Sequence, residues 1–273
     1  LCGLAAKFAG VRRTVMTEHA LFQLQERPDY RRSAVRYCKL ADAITVVAPE
    51  QRDYFHNEIH VPLERLHYLP NGVAVRPRIP AVRARIRQEF SIDDDRFVFM
   101  YVGRLNEIKS LPTLLNAIAL CADLRAHWLI VGDGPERAAL EALRVTLGIE
   151  SRVTFAGART DVHDLLMAAD GFVMSSRSEG MPMAMLEAMA AELPCVSTAV
   201  GGIPGLLVDG AGLLVPPAAP DQMAMAMRRV VEDSQLRASI IARASQRIAT
   251  DYSLDAVVTR YLALLGLPAK WGA

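Results

Sequence analysis

The stretch SEGMPMAMLEAMAAELPCVSTAVGGIP, residues 178–204, reads as a loop, a helix, a buried strand and a glycine turn in succession. Just before it, Gly171 to Ser176 (GFVMSS) is a short apolar run ending in small polar residues, as in a strand buried within a parallel sheet. Gly180 breaks that run. Pro182 suits the first turn of a helix, where a missing N–H costs nothing, and Met183 to Ala191 are strong helix formers. Glu179 therefore falls on a strand-to-helix loop and Glu187 in the second helical turn. Unpaired amides at a helix start carry partial positive charge, so this turn is where a phosphorylated ligand would sit. Two carboxylates beside such a site need another task, and a polyol would supply one.

Working outward, strand and helix patterns alternate from about Phe97 onward, which implies a parallel α/β sheet. RFVFMYVG, HWLIVG, RVTFAG, DGFVMS, PCVSTA and GLLV are the expected strands; Leu111 to Ala122, Glu136 to Leu147, Asp161 to Ala169 and Met183 to Glu192 are the expected helices. Right-handed crossovers gather the strand-end loops along one edge, the expected binding crevice. Upstream, VRRTVMTEHA, AITVVAP and RLHYLPNGV each contain a strand pattern, and the first residues read as helical. Three strands are fewer than a second lobe of comparable size would need. VRPRIPA, Val75 to Ala81, combines proline with charge as an interdomain linker would.

The bulk properties fit a two-lobed enzyme. The chain has 273 residues, 52% of them hydrophobic, and 31 Lys and Arg against 30 Asp and Glu. That charge balance argues against general nucleic-acid binding. Cys2, Cys38, Cys121 and Cys195 show no CxxC spacing and read as reduced packing thiols, which suggests a cytoplasmic setting. No apolar run approaches the ~20 residues needed to cross a bilayer, and the start lacks a signal-peptide pattern.

Several residues carry candidate chemistry. Arg104 and Lys109 follow the strand FVFMYVG and its Gly103 at a spacing that brings two cations from a turn and a helix start toward the crevice. Pyrophosphate is their natural counterion. Glu187 suits a ribose, because a carboxylate accepts hydrogen bonds from both vicinal hydroxyls. GDGPER, Gly132 to Arg137, has arginine where a dinucleotide fingerprint requires its last glycine, which weakens a nicotinamide reading. His56 and His60 have i, i+4 spacing but lack the glutamate of HExxH, so a surface helix is expected and no metal site. Met181, Met183, Met185 and Met189 read as adaptable core packing. Arg83, Arg85 and Arg87 read as a solvated helix face, which near the cleft would meet an anionic lipid or acceptor.

VGRLNEIKSLPTLLNAIA (102–119), HWLIVGDGPERAALEAL (127–143), RVTFAGARTDVHDLLMAADGFVMSS (152–176) and GGIPGLLVDGAGLLVPP (201–217), with the paired glutamates, resemble the family 4 glycosyltransferases in order and spacing. The resemblance implies a GT-B fold: two Rossmann-like α/β lobes with parallel sheets, the N-terminal one lacking its beginning. The implied division is residues 1–78 as the partial acceptor-side lobe, 79–250 as the nucleotide-sugar lobe, and 251–273 as a segment whose helix, about Leu254 to Leu265, crosses back. It also implies retaining transfer of a sugar from a nucleotide diphosphate sugar, UDP- or GDP-linked, to a sugar or glycolipid acceptor hydroxyl in polysaccharide or glycolipid synthesis. No cofactor and no nucleic-acid partner are expected, and the implied location is cytoplasmic, with peripheral contact at the inner face of the membrane.

By the same resemblance, Arg104 and Lys109 stabilise the departing diphosphate, Glu187 holds the ribose and Glu179 positions the transferred sugar. The backbone of Gly180, Met181, Pro182 and Met183 wraps nearby, Gly103 and Gly132 border the nucleotide, and His19 lies on the first-lobe side of the cleft. Gly201 and Gly202 match the glycine loop near the donor. Gly205 departs from the family pattern, since glutamate often follows GGIP, and VDGAGLLVPP has a shortened turn. A donor-binding fragment without transfer activity and a GT-B sugar-nucleotide epimerase are the competing readings.

Overall fold

The computed structural model describes residues 5–268 apart from residues 7, 20–23 and 26. The helix expected at residue 1 and the thiol of Cys2 lie outside the described residues. Among the described residues, nine strands form two sheets: β1 (Val15–Glu18), β2 (Ala43–Val46) and β3 (Leu66–Tyr68) in one, and β4 (Phe97–Val102), β5 (Ala126–Val131), β6 (Val153–Gly157), β7 (Gly171–Met174), β8 (Cys195–Thr198) and β9 (Leu213–Val215) in the other. Each falls inside the run from which it was expected, except β5, which starts one residue earlier, at Ala126. Every pairing is parallel, so each sheet must be covered by crossover helices.

The helices are α1 (Pro28–Leu40), α2 (Pro49–Asn57), α3 (Pro80–Glu89), α4 (Leu111–Ala119), α5 (Arg137–Thr146), α6 (Val162–Ala168), α7 (Met183–Ala190), α8 (Ile203–Leu206), α9 (Pro220–Glu232), α10 (Ser234–Arg247) and α11 (Leu254–Leu265). Alternation along β4 shows how the larger lobe is layered. Val98 and Met100 point into a core shared with α3, α6 and α7, whereas Phe99 and Tyr101 point into a core shared with α4, α5 and α9. Both faces of the strand are thus dry, which is why it reads as a continuous apolar run. A third, smaller core, around Ala34, Ile44, Val46 and Phe55, belongs to the three-stranded lobe.

The large sheet runs β6-β5-β4-β7-β8-β9. Counted within that lobe, the order is three, two, one, four, five, six, so the chain reverses direction across the sheet between β4 and β7. In open α/β sheets the crevice outside the strand carboxyl ends at such a reversal is where ligands bind. The loops that follow β4 and β7 carry Arg104, Lys109 and Glu179.

Residues 74–79 have no regular structure, and α3 begins at Pro80. Val73 is pinned beside the return crossing, donating its amide to Tyr252 O at 2.8 Å and accepting from Leu254 N at 3.0 Å. A π-helical turn at Ile248–Tyr252 redirects the chain into α11, which Ser253 caps. Tyr261 on α11 reaches Thr17 on β1 through a 2.8 Å hydroxyl contact.

Three expectations are corrected by packing. The Arg83, Arg85 and Arg87 stripe is not a solvated face. Arg87 is buried, ion-pairs with Asp170 at 2.6 Å and donates to four carbonyls at Ala168, Asp93, Asp94 and Arg96. Arg83 bonds Ala168 and Ala169 and pairs with Asp170, leaving Arg85 exposed in a pair with Asp164. The unpaired carbonyls at the C-terminus of α6 attract these cations, as a helix end does. His56 and His60 do not share a helix, because α2 ends at Asn57 and His60 turns left-handed at φ 62°. Met183 is 42% exposed, while Met181, Met185 and Met189 are buried.

Candidate functional site

The site is built where the β4 and β7 loops meet. Beyond β4, Gly103 donates to Val131 O at 3.0 Å and Leu105 to Asp133 O at 2.9 Å, so the loops after β4 and β5 run side by side. Gly132, at φ 135°, leaves no room for a Cβ against the Gly103 carbonyl. Its conformation and this backbone approach account for glycine there. Arg104 extends from this turn, exposed, its carbonyl accepting from the Tyr101 hydroxyl at 3.3 Å and its guanidinium making no hydrogen bond or ion pair with any described residue.

A short 3-10 turn, Glu107–Lys109, follows, with the Asn106 side chain accepting from Lys109 N at 3.3 Å. Ser175 Oγ donates to Lys109 O at 2.9 Å, and Arg177 N to Ile108 O at 2.7 Å. These bonds strap the β4 loop to the β7 loop. As a result Lys109 Nζ lies 2.6 Å from Glu179 Oε1, with side-chain exposures of only 21% and 8%. Ser176 Oγ donates to the same carboxylate oxygen at 2.5 Å, and Thr198 on β8 holds the Ser176 carbonyl at 2.6 Å. Burial, and then the Glu179 charge, push the Tyr101 phenol well above its usual range.

Glycines let the backbone pass on both sides of Glu179. A Cβ on Gly201, at φ 50°, would overlap the Glu179 carbonyl, and Gly202 N donates to Gly180 O at 3.0 Å. On the other side, a Cβ on Gly180 would stand 2.5 Å from His19 O. His19 therefore meets the loop through its backbone at the end of β1, its side chain exposed and its amide donating to Glu18 at 3.0 Å. Asn71 Nδ2 adds a bond to Met181 O at 3.1 Å, and Pro182 forms the N-cap of α7.

Met183 and Glu187, one turn apart on α7, help line a cavity of about 320 Å³ with Arg76, Thr160, Val162 and His163. Glu187 is half-buried, its carboxyl making no hydrogen bond or ion pair among the described residues, and burial raises that carboxyl above the ordinary value. His163 Nε2 is buried without a partner; burial first, then nearby Arg76, lower its imidazole. A larger opening of about 430 Å³ beside His56 and His60 contains none of these residues.

Two clusters result. Lys109 and Glu179 form one, with Gly180 next to Glu179 and against the His19 backbone; Met183 and Glu187 belong to the other, while Gly132 packs on Gly103 in the adjoining loops and Arg104 makes no side-chain bond to either cluster. Ser176, Thr198, Arg76 and His163 were missed by sequence reasoning. Ser176 had a weak signal, as the small polar residue ending the GFVMSS run, but nothing local marked the other three. Among the described residues no cluster of three or more His, Cys, Asp or Glu has the geometry to hold a metal. No helix there is long and apolar enough to cross a membrane.

Residues 82–247 match the profile of the glycosyl transferases group 1, and residues 1–76 that of Glycosyltransferase Family 4. The chain belongs to the glycosyl transferases group 1 family. This group 1 chain is 31% identical over 224 residues to the alpha-D-kanosaminyltransferase of Streptomyces kanamyceticus, covering 79% of the chain and 58% of that relative. It is 36% identical over 180 residues to a lipopolysaccharide core biosynthesis glycosyltransferase of Rhizobium meliloti, covering 66% and 52%. It thus spans about half the length of the curated relatives it matches. The crystal structure of Anabaena HepE in complex with UDP-glucose superposes with a TM-score of 0.87 at 23% identity, over 97% of this chain and 75% of that one. The fold of this glycosyl transferase chain is GT-B, with two parallel-sheet α/β lobes.

Proposed function

We propose that the chain carries the donor site of a retaining glycosyltransferase that moves a sugar from a nucleotide diphosphate sugar to an acceptor hydroxyl. The observation that supports this best is the close pairing of Lys109 with Glu179 at the reversal point of the large sheet, with Arg104 on the same loop after β4 and the unpartnered carboxylate of Glu187 one loop away. Two cations at strand ends face the space a diphosphate would fill. Charge grows on the diphosphate as the glycosidic bond to it breaks, so cations aimed there favour the transition state over the ground state.

In this reading residues 79–250 bind the donor, residues 1–78 face the acceptor from the His19 side, and residues 251–273 tie the lobes together. Glu187 accepts from the ribose hydroxyls, with Met183, Val162 and His163 walling the nucleoside. Glu179 positions the transferred sugar, and the Gly180 to Met183 backbone closes over it. Gly103 and Gly132 shape the rim. The acceptor attacks from the face the leaving diphosphate departs, which retains configuration. A UDP or GDP donor and a sugar or glycolipid acceptor at the inner membrane face fit the relatives in lipopolysaccharide synthesis, and no cofactor or metal enters this scheme.

The test is a thermal-shift screen with UDP, GDP, ADP and TDP and their sugars. Protection by one nucleotide, greater for one of its sugar forms, is the expected result. No protection by any of them would sink the reading. Release of nucleotide only when an acceptor is present separates transfer from donor binding alone, and a changed sugar in the absence of acceptor would indicate an epimerase.

A further inference from the structure

Glu179 takes two hydrogen bonds on one oxygen. Lys109 Nζ and Ser176 Oγ both reach Oε1, at 2.6 and 2.5 Å. Neither donor is a loosely placed surface group: the Lys109 carbonyl is held by Ser175, and the Ser176 carbonyl by Thr198. The lysine is therefore already neutralised by a carboxylate in a site where a donor diphosphate would also claim it. A diphosphate carries more charge than a carboxylate and would repel Glu179 unless Lys109 stood between them or turned away.

We infer that Ser176 is a positioning residue that keeps Glu179 in place for the transferred sugar when Lys109 leaves it for the donor diphosphate. The inference rests on the donor-site reading above and adds an order of events to it. In the resting arrangement Lys109 and Glu179 satisfy each other. Diphosphate binding draws Lys109 away and frees Glu179 to accept from sugar hydroxyls. Ser176, neutral and anchored through its own carbonyl, does not follow the lysine, so the carboxylate retains one bond and its orientation. Engagement of the diphosphate thereby prepares the sugar subsite, through one shared oxygen.

The experiment compares calorimetric affinities for UDP with those for UDP-glucose, UDP-galactose and UDP-N-acetylglucosamine, with GDP and GDP-mannose in parallel. Ser176→Ala should leave the free nucleotide within about twofold and weaken the preferred sugar nucleotide about tenfold, the order that one hydrogen bond to a charged group is worth. Ser176→Thr, which keeps the hydroxyl, should restore it. Glu179→Asp keeps the charge but withdraws the carboxylate from Lys109, so free nucleotide should bind about fivefold tighter, a change that reflects release of the lysine. Equal losses for nucleotide and sugar nucleotide in Ser176→Ala would assign Ser176 a merely structural role. Unchanged or weaker nucleotide binding in Glu179→Asp would refute the exchange. Wild-type protein that binds none of these nucleotides would remove the donor-site reading itself, and the inference with it.

Discussion

Substituting alanine for Gly201 tests how tightly the glycine loop sets the position of Glu179. The added Cβ would overlap the Glu179 carbonyl, and the φ of 50° at Gly201 is a conformation L side chains rarely adopt. The left-handed conformation costs ~1–2 kcal/mol for a residue with a Cβ. The Cβ would stand 1.7 Å from that oxygen against a closest ordinary contact of 3.0 Å, so the two backbones must part by at least about 1.3 Å, and overpacking of this kind costs ~1–3 kcal/mol. Taken together at ~2–4 °C per kcal/mol for a chain of this size, the melting temperature should fall by roughly 4–20 °C. The displaced backbone is that of Glu179, and a misplacement of about 1 Å costs on the order of 10²-fold in reactions that depend on orientation. Gly205→Ala is the matched control, because its Cβ would meet nothing within 4 Å and it lies in a short helix. It should be neutral or stabilise by up to ~1 kcal/mol. Thermal melts and calorimetric titration with the preferred sugar nucleotide read both effects. If Gly201→Ala melts and binds like Gly205→Ala, the loop does not constrain Glu179 and the reasoning fails.

Other substitutions probe separate parts of the structure. Arg104→Ala and Lys109→Ala should each weaken nucleotide diphosphate binding about tenfold or more, since each removes a charge-assisted contact worth ~1.5–3 kcal/mol; equal affinity in wild type and both variants would withdraw the assignment. Glu187→Gln should weaken nucleotide binding yet raise the melting temperature at neutral pH, because burial raises its folded-state pKa and makes its ionised form costly. The sign follows from that direction: the penalty is present above the unfolded-state pKa and disappears as pH falls, so the stabilisation by Gln should shrink on acidification, and a constant difference across pH would contradict it. Arg87→Ala should cost ~3–5 kcal/mol by emptying a buried ionic network, whereas Arg85→Ala should lie within ~0.5 kcal/mol; chemical denaturation distinguishes these outcomes, and similar losses would contradict the burial argument.

Much of this molecule was legible along the chain because the deciding signals are local. Short apolar runs located the six strands of the larger lobe, and weaker strand patterns the three of the smaller one, among the described residues. Pro182 and the helix formers after it put Glu179 on a loop and Glu187 in the second turn of α7. The alternation of strands and helices implied the parallel sheet, and with it an edge of loops.

Only the tertiary structure decided what those loops touch. Lys109 and Glu179 are 70 residues apart, yet become partners because β4 and β7 are neighbours at the reversal of strand order. Arg87 looked solvent-facing on its own helix and is buried because the end of α6 brings unsatisfied carbonyls and Asp170 against it. His60 lost its helical spacing to a left-handed turn, and Met183 faces a cavity that its helix alone could not reveal. Gly180 read as a break in a run and Gly201 as part of a glycine turn, but what requires them is the backbone of His19 on one side and of Glu179 on the other. Periodicity and punctuation record how a segment meets water and its own neighbours. Charge partners and close backbone approaches depend on segments brought together by the order of strands, and no single stretch of sequence encodes that order.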